Sequence, residues 1–396
     1  MSSSLIARSE DLRRLRQQGY DVGIVSNHLV VRGVPYVTRT RQVAYGTLVS
    51  ELTLAGDQTT TPNTHVVFFD GETPCDQHGE PLPGLVNDPT GRQLAPGLDV
   101  TCSFSRKPPG GYPDYYETIK TYSNLLQGPA RVLDPAATAT TFPPGANDDD
   151  SSPFRYLDSA TSRARIGAAV DKLSQERVAI VGLGGTGSYV LDLLAKTPVE
   201  RIDLYDGDTL LTHNAFRAPS ATSLEVLRGS PNKAEHWAAA YDPLRRGIVA
   251  HPHDIDASRV ELLRSATFVF ITMDAGPTKR LILERLEEWR TPYVDSGLGV
   301  FQRGSSLGGI VRTSFWDPSR CESLAGAGKL SFDEADGGEY QQNIQLAELN
   351  ALAACHAVIR WKKWLGVYLD DEGERSSYFT IDGSHLATEG GASTAS

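Results

Sequence analysis

Residues 177–208 read RVAIVGLGGTGSYVLDLLAKTPVERIDLYDGD, and the fold is decided here. Arg177–Val181 is a short β-branched run that suits a buried strand. It passes at once into Gly182-Leu183-Gly184-Gly185-Thr186-Gly187, then into an apolar-periodic helix over Ser188–Lys196. A second strand, Arg201–Tyr205, ends on Asp206. Strand, glycine turn, helix, strand and terminal acid make a βαβ unit of the kind that binds adenine nucleotides. The glycines allow a tight turn and let backbone N–H groups approach phosphate oxygens at the positive end of the helix. Asp206 then stands where a carboxylate can accept both ribose hydroxyls. A purely structural glycine turn is the competing reading, and the agreement of the flanking elements favours the nucleotide site.

Working outward, the chain has 396 residues, enough for two domains with separate cores. Its net charge of −11 argues against a general grip on nucleic acid or attraction to an anionic membrane. No apolar run approaches the roughly 20 residues that span a bilayer, and MSSSLIARSEDLRRL lacks the apolar core of a secretion signal. Cys75, Cys102, Cys321 and Cys355 are far apart with no C-x-x-C pair, which argues against a disulfide framework and a four-cysteine zinc site. A reducing cytoplasm is the expected location.

The expected architecture is α/β: a Rossmann-like, mainly parallel sheet preceded by a smaller α+β domain. Residues 1–133 form the first domain. It has a short helix over Glu10–Gln18 and β structure over Asp21–Val37, with a turn near Arg32-Gly33. A strand is expected in HVVFF at 65–69, then loop from Pro81 to Pro113, and a helix over Asp114–Leu126. Residues 134–153 (DPAATATTFPPGANDDDSSP) have few large apolar side chains and read as a linker. Over 154–385, helical spacing at Tyr156–Leu173 leads into the glycine unit. Helices follow at Lys233–Tyr241, Ala257–Arg264, Pro277–Trp289 and Gln345–Leu365, and strands at Thr267–Met273, from Tyr293, and at Gly308–Thr313. Alternating strands and helices imply a parallel sheet covered on both faces. Residues 386–396 read as a disordered tail.

Downstream of the glycine turn, polar residues fall in an order that a plain dinucleotide site does not require. Asp206-Gly-Asp208 is followed by His213-Asn214-Ala-Phe-Arg217, then Lys233, then Asp274 at the end of a β run. Arg217 and Lys233 can neutralise phosphate oxygens and the charge developing at an α-phosphorus. Asp274 can hold Mg²⁺, with Asp208 assisting through water. Asn214 can hydrogen-bond a phosphate or position the arginine.

RVAIVGLGGTG, LYDGD, HNAFR, Lys233 and Asp274 together resemble the adenylation core of ThiF-type enzymes, a superfamily that includes ubiquitin-activating enzymes and activators of sulfur-carrier proteins. The resemblance covers about residues 155–370, including the Arg280 helix and the closing helix. It implies that Gly182, Gly184, Gly185 and Gly187 form the ATP loop, that Asp206, Asp208, Asn214, Arg217 and Lys233 bind the nucleotide, and that Asp274 holds magnesium. The implied reaction is adenylation of the C-terminal glycine of a ubiquitin-like protein, for conjugation or transfer to a partner such as a conjugating enzyme, in a bacterial pathway. Two C-x-x-C pairs carried by many relatives are missing, so no zinc is expected. Many relatives also use a thioester cysteine. Cys321, in the loop-like WDPSRCESLAGAG, is a candidate acceptor, with direct transfer to a partner as the alternative. Cys355 sits in an apolar helix and reads as core.

The family often completes its site with an arginine from a second subunit. Arg155, Arg163 and Arg165 are candidates, with Arg163 preferred, which would require a homodimer; surface arginines on a helix are the competing reading. By exclusion, the first domain is assigned recruitment of the modifier or partner. Three other functions stay open: an NAD-dependent oxidoreductase, a non-catalytic nucleotide-fold scaffold, and an enzyme adenylating a small carboxylic acid or peptide.

Overall fold

The structure, a computed structural model, describes residues 2–144, 152–164, 166–319, 323 and 344–390. The chain divides into two compact units, Met1–Ser151 with Tyr156–Ile166, and Ser152–Arg155 with Gly167–Ser396.

In the N-terminal unit an antiparallel sheet runs in the spatial order Asp21–Val25, His28–Val37, Val43–Glu51, Val66–Asp70, Cys102–Ser105 and Val86–Asp88. The helix Tyr115–Leu133 packs on it, started by Asp114, whose carboxylate accepts the Glu117 N–H at 2.8 Å. Phe69 stacks on Phe104 and Phe104 on Tyr122, with centroids 5.1 and 6.0 Å apart, at the centre of its core.

Three expectations for this region change. The first turn is at Ser26-Asn27, both at positive φ, and not at Arg32-Gly33. Asn27 tolerates that conformation and ties it down by donating from Nδ2 to the Leu52 carbonyl at 3.1 Å. His28–Val37 continues through Gly33 as one strand with a register shift between Val31 and Val34. Second, the stretch from Pro81 to Pro113 contributes two strands to the sheet and a small ribbon, Arg92–Ala95 with Leu98–Val100. Its proline and glycine content marks short strands between turns. Third, residues 134–144 are not a free linker. Ala137 and Ala139 are buried, and the Phe142 N–H donates to the Gly19 carbonyl at 2.9 Å. Small side chains pack closely there, and the Phe142 ring lies against Gly19. The helical stretch after 155 is also interrupted, into Ser159–Ala164 and Gly167–Val170. The former belongs to the N-terminal unit. The acidic run at 148–150 lies outside the described residues.

The C-terminal unit is built on β1 (Arg177–Val181), α1 (Gly185–Ala195), β2 (Arg201–Tyr205), α2 (Lys233–Tyr241), β3 (Ile248–His251), β4 (Phe268–Ile271), α3 (Pro277–Glu288), β5 (Tyr293–Arg303), β6 (Ser306–Trp316), α4 (Ala347–Trp364), β7 (Ser376–Thr380) and β8 (His385–Glu389). The sheet order is β3-β2-β1-β4-β5-β6-β7-β8. β3 to β5 are parallel, and β5 to β8 add an antiparallel extension. Val178 and Ile180 of β1 face the core shared with α1, α2 and α4. Ala179 and Val181 face the core under α3. Burial on both faces explains why these strands read as continuous apolar runs. The stretch over Ala257–Arg264 is a 3₁₀ segment at Val260–Ser265. β8 occupies part of the expected tail: paired to β7 from Ser376↔Glu389 to Thr380↔His385, it needs no buried side chain to be ordered. Residues 391–396 lie outside the described residues. No described helix is long and apolar enough to cross a membrane.

Candidate functional site

β1 and β4 end side by side, Val181 opposite Ile271, and the chain reverses direction through the glycine turn above them. Gly182 has φ +91°, and a Cβ there would lie 3.0 Å from the Met273 nitrogen. A Cβ on Gly187 would fall on the Gly182 carbonyl, and one on Gly185 on the Asn350 amide. These three glycines are required by the packing of the turn itself. Gly184 differs: it is the N-cap of α1, at φ −68°, and nothing lies within 4 Å of where its Cβ would be. The open space therefore lies at the start of α1, where the first backbone N–H groups have no intrahelical acceptor and the helix dipole is positive.

Asp206 leaves β2 beside this opening and is 6% exposed. Its Oδ2 accepts the Leu183 N–H at 2.6 Å and its Oδ1 the Asp208 N–H at 2.9 Å, so the acid is locked onto the turn. Burial pushes its carboxyl above the usual range, while Lys233 and the two backbone donors pull it back. Lys233, the first residue of α2 and 7% exposed, places Nζ 2.6 Å from Asp208 Oδ2 and 3.7 Å from Asp206 Oδ1. Asn232 caps α2, accepting from the Ala234 and Glu235 N–H groups. Its amide nitrogen donates to the carbonyls of Asp206 and Asp208 at 2.9 and 3.1 Å. The ribose-side acid and the lysine thus form one hydrogen-bonded block.

Asn214 is buried and its Oδ1 accepts the Leu211 N–H at 2.8 Å, shaping the turn Thr212–Ala215 that delivers Arg217. The Arg217 Nε is buried with no partner among the described residues. Burial lowers the pKa of its guanidinium and the charge of Asp274 opposes that shift, so the two side chains sense each other electrostatically. Asp274 itself is exposed, just past the end of β4. The structure therefore gathers Gly182, Gly184, Gly185, Gly187, Asp206, Asp208, Asn214, Arg217, Lys233 and Asp274 along the C-terminal edge of the parallel strands, where open α/β sheets bind ligands. No cluster of three or more metal-ligating side chains occurs among the described residues. A single carboxylate suits Mg²⁺ that completes its shell with phosphate oxygens and water.

Two other expected residues have partners of their own. Arg163 belongs to the N-terminal unit, its guanidinium 5.3 Å from the Phe142 ring centre. Arg155 pairs with Asp242 at 2.5 Å. Cys321 and Arg165 lie outside the described residues.

Residues not anticipated from sequence complete the edge. Asn350, on α4 and fully buried, accepts the Thr186 hydroxyl at 2.9 Å and donates to the Arg217 carbonyl at 3.3 Å. One amide thus joins the glycine turn to the arginine turn. Thr272 donates from Oγ1 to the Gly182 carbonyl at 2.7 Å, and Asp254 accepts the Gly207 N–H at 2.9 Å. A polar residue among the alanines of LNALAACHAV was the signal for Asn350. On the α3 face, Asp295 is fully buried between Lys279 and Arg312, with Arg312 Nη2 at 2.9 Å. Near the β3 edge, Asp203 accepts two bonds from Arg201, each at 2.7 Å, and pairs with His251 Nε2 at 2.7 Å.

Residues 160–306 match the family model described as ThiF family, and residues 10–159 match one described as a domain of unknown function, DUF6791. Two curated relatives are ubiquitin-like modifier-activating enzymes ATG7 from strains of Cryptococcus neoformans var. neoformans serotype D. One is 27% identical over 172 residues, 37% of this chain and 25% of the relative. The other is 26% identical over 194 residues, 43% of this chain and 26% of the relative. The chain therefore spans about a quarter of the length of these relatives. Among solved structures, Escherichia coli MccB with MccA-N7isoASN superposes with a TM-score of 0.48 at 16% identity, covering 56% of this chain and 66% of that one. PaaA superposes with a TM-score of 0.44 at 18% identity, covering 56% and 75%. By sequence match and by the sheet, glycine turn and acid that the residues build, this chain carries a ThiF-family domain at residues 160–306, behind an N-terminal domain of unknown function.

Proposed function

We propose that the C-terminal unit uses ATP to adenylate a carboxylate, and that its acyl substrate is the C-terminal glycine of a ubiquitin-like protein in a bacterial pathway of conjugation or transfer. The observation that carries this reading is the buried Nε of Arg217, which has no partner among the described residues and is held in the field of Asp274 beside the open start of α1. A nicotinamide site has no use for that pair; a triphosphate does. Phosphates would lie at Gly184 and the α1 N-terminus, ribose at Asp206, and the α-phosphorus toward Arg217. Asp274 would hold Mg²⁺, which supplies neutralisation of phosphate charge when bound.

In the reaction a carboxylate oxygen forms a bond to the α-phosphorus and the α–β phosphoanhydride bond breaks, releasing pyrophosphate. The nucleophile is already ionised at neutral pH, so this chain supplies no general base. Arg217 would stabilise charge at phosphorus, and Asn350 would hold the turn that aims it. Lys233, now paired with Asp208, would move to a phosphate oxygen by exchanging one exposed carboxylate for another anion.

The finer assignments follow from the same reading. Cys321 would accept the acyl group as a thioester, its thiolate displacing AMP from the acyl-adenylate, Arg163 would act in trans in a homodimer, and the N-terminal unit would recruit the modifier or a conjugating enzyme. The protein would work in the cytoplasm. ATP–pyrophosphate exchange with the full chain, Mg²⁺ and a candidate modifier tests the central claim. Exchange dependent on a free C-terminal glycine supports it, and its absence while NADH binds at the glycine turn would replace it with the oxidoreductase reading.

A further inference from the structure

β8 is the last strand of the C-terminal sheet, and no described strand pairs with its outer side. All of its residues are exposed, Leu386 to 56%. The Arg375 N–H donates to the Glu389 carbonyl at 2.8 Å, and the His385 N–H donates to the Thr380 hydroxyl at 3.3 Å. Both ends of β8 thus turn their backbone groups toward β7. Backbone direction alternates along a strand. His385, Ala387 and Glu389 therefore face β7, while the N–H and C=O groups of Leu386 and Thr388 point out of the sheet.

Free edges of this kind are commonly blunted by proline, lysine or a bulge. The sequence HLATE has neither proline nor lysine, and its pairing with β7 keeps a continuous register. β3, the strand at the opposite end of the sheet, runs straight into Pro252. HLATE is also complementary to itself. Turned antiparallel about Ala387, two copies set Leu386 of each strand opposite Thr388 of the other. These are the residues whose N–H and C=O groups point outward, so each such pair can exchange two hydrogen bonds. In the same register His385 of each strand meets Glu389 of the other, an imidazole donor beside a carboxylate, in the closer type of cross-strand pair. An in-register parallel arrangement would bring the two Glu389 carboxylates together instead.

We infer that β8 is an interaction surface for a second copy of this chain, which adds its own β8 across a two-fold axis and joins the two C-terminal sheets into one. The interface is isologous, the same patch serving both copies, and it does not depend on the adenylation reading. β8 lies four strands, about 19 Å, from β4, so the pairing leaves the glycine turn open. Two strands of this length bury less than the roughly 1,200 Å² at which lasting interfaces begin. The association is accordingly weak and grows with concentration.

Sedimentation velocity of the full chain from about 1 µM to about 1 mM tests the pairing over the range in which small interfaces associate. Wild type should sediment faster as concentration rises. Thr388→Pro removes an outward N–H and leaves the amides that face β7 in place. His385→Glu sets two carboxylates against each other at both ends of the pair. Each variant should raise the concentration for half-association by about tenfold, equivalent to about 1.4 kcal/mol. The double variant His385→Glu, Glu389→Lys should recover wild-type association, because opposite charges meet again. The charge variants alter only exposed side chains, so they decide the matter even if Thr388→Pro unfolds β8. The readout is the association that these variants remove, whatever larger species wild type forms through other surfaces. Concentration-independent sedimentation of wild type, wild-type association in His385→Glu, or no recovery in the double variant overturns the inference.

Discussion

The Thr186 hydroxyl donates to Asn350 Oδ1 at 2.9 Å across 164 residues of chain, and the same amide donates to the Arg217 carbonyl. Asn350 sits where a Cβ on Gly185 would fall. The nucleotide turn is therefore shaped as much by α4 as by its own glycines. Asn350→Ala should cost about 1–3 kcal/mol, the range for a buried hydrogen bond whose partner is left unsatisfied. It should also lower ATP affinity. Urea unfolding together with ATP titration checks both, and an unchanged ATP affinity would remove the proposed role for Asn350.

Arg217 and Asp274 should matter for turnover more than for folding. Arg217→Ala removes a buried cation whose Nε has no described partner, and Asp274→Asn changes an exposed side chain. Pyrophosphate exchange should fall by about 100- to 1,000-fold in either, the scale of losing one preorganised charge at a reacting centre. Circular dichroism should stay as in wild type. Normal exchange in both variants would defeat the assignment.

Two glycines of the turn should respond differently to one added methyl. Gly187→Ala drives a Cβ into the Gly182 carbonyl, so thermal stability and ATP binding should fall together. Gly184→Ala meets no protein atom within 4 Å and has an ordinary φ, so its melting temperature should stay within about a degree of wild type. Its methyl group projects into the space given to phosphate, so ATP affinity alone should drop. Equal ATP affinity in Gly184→Ala and wild type would place the phosphates elsewhere.

Asp203 predicts the shape of the acid limb. Burial alone would raise its carboxyl, but the Arg201 and His251 bonds outweigh it and hold the group below the ordinary 3.8. A carboxyl depressed in the folded state adds stability above its unfolded value, and that stability is lost as pH falls through the folded value. Wild type should therefore lose melting temperature more steeply than Asp203→Asn below about pH 4. Parallel curves for the two proteins over that range would show that the pair contributes nothing to acid stability.

Much of the site is legible in the sequence because a local pattern creates it. β1, the glycine turn, α1 and β2 are consecutive, so Val178–Val181, Gly182 and Asp206 can be placed from spacing alone. Lys233 is legible too, since Asn232 before it is a strong helix start. Asn350 is hidden because its partners are far away in sequence and only the closed fold brings them together. The extension is hidden for another reason. β7 and β8 are short, and β8 buries no side chain, so no hydrophobic period announces them. In the N-terminal unit, Gly33 looks like a turn and is a bulge, because a glycine at positive φ serves either and only strand pairing decides. The alanines at 137 and 139 read as linker because small side chains carry little hydrophobic signal, yet they are buried.

The reach of Asn350 sets an order of events during synthesis. A ribosome completes the glycine turn long before α4 emerges, and through that interval the loop lacks the amide that braces it. Such distant closure makes assembly slow relative to helices formed from neighbours. ATP should consequently be captured only after α4 has docked, so a half-made chain in the cell would neither sequester nor spend nucleotide.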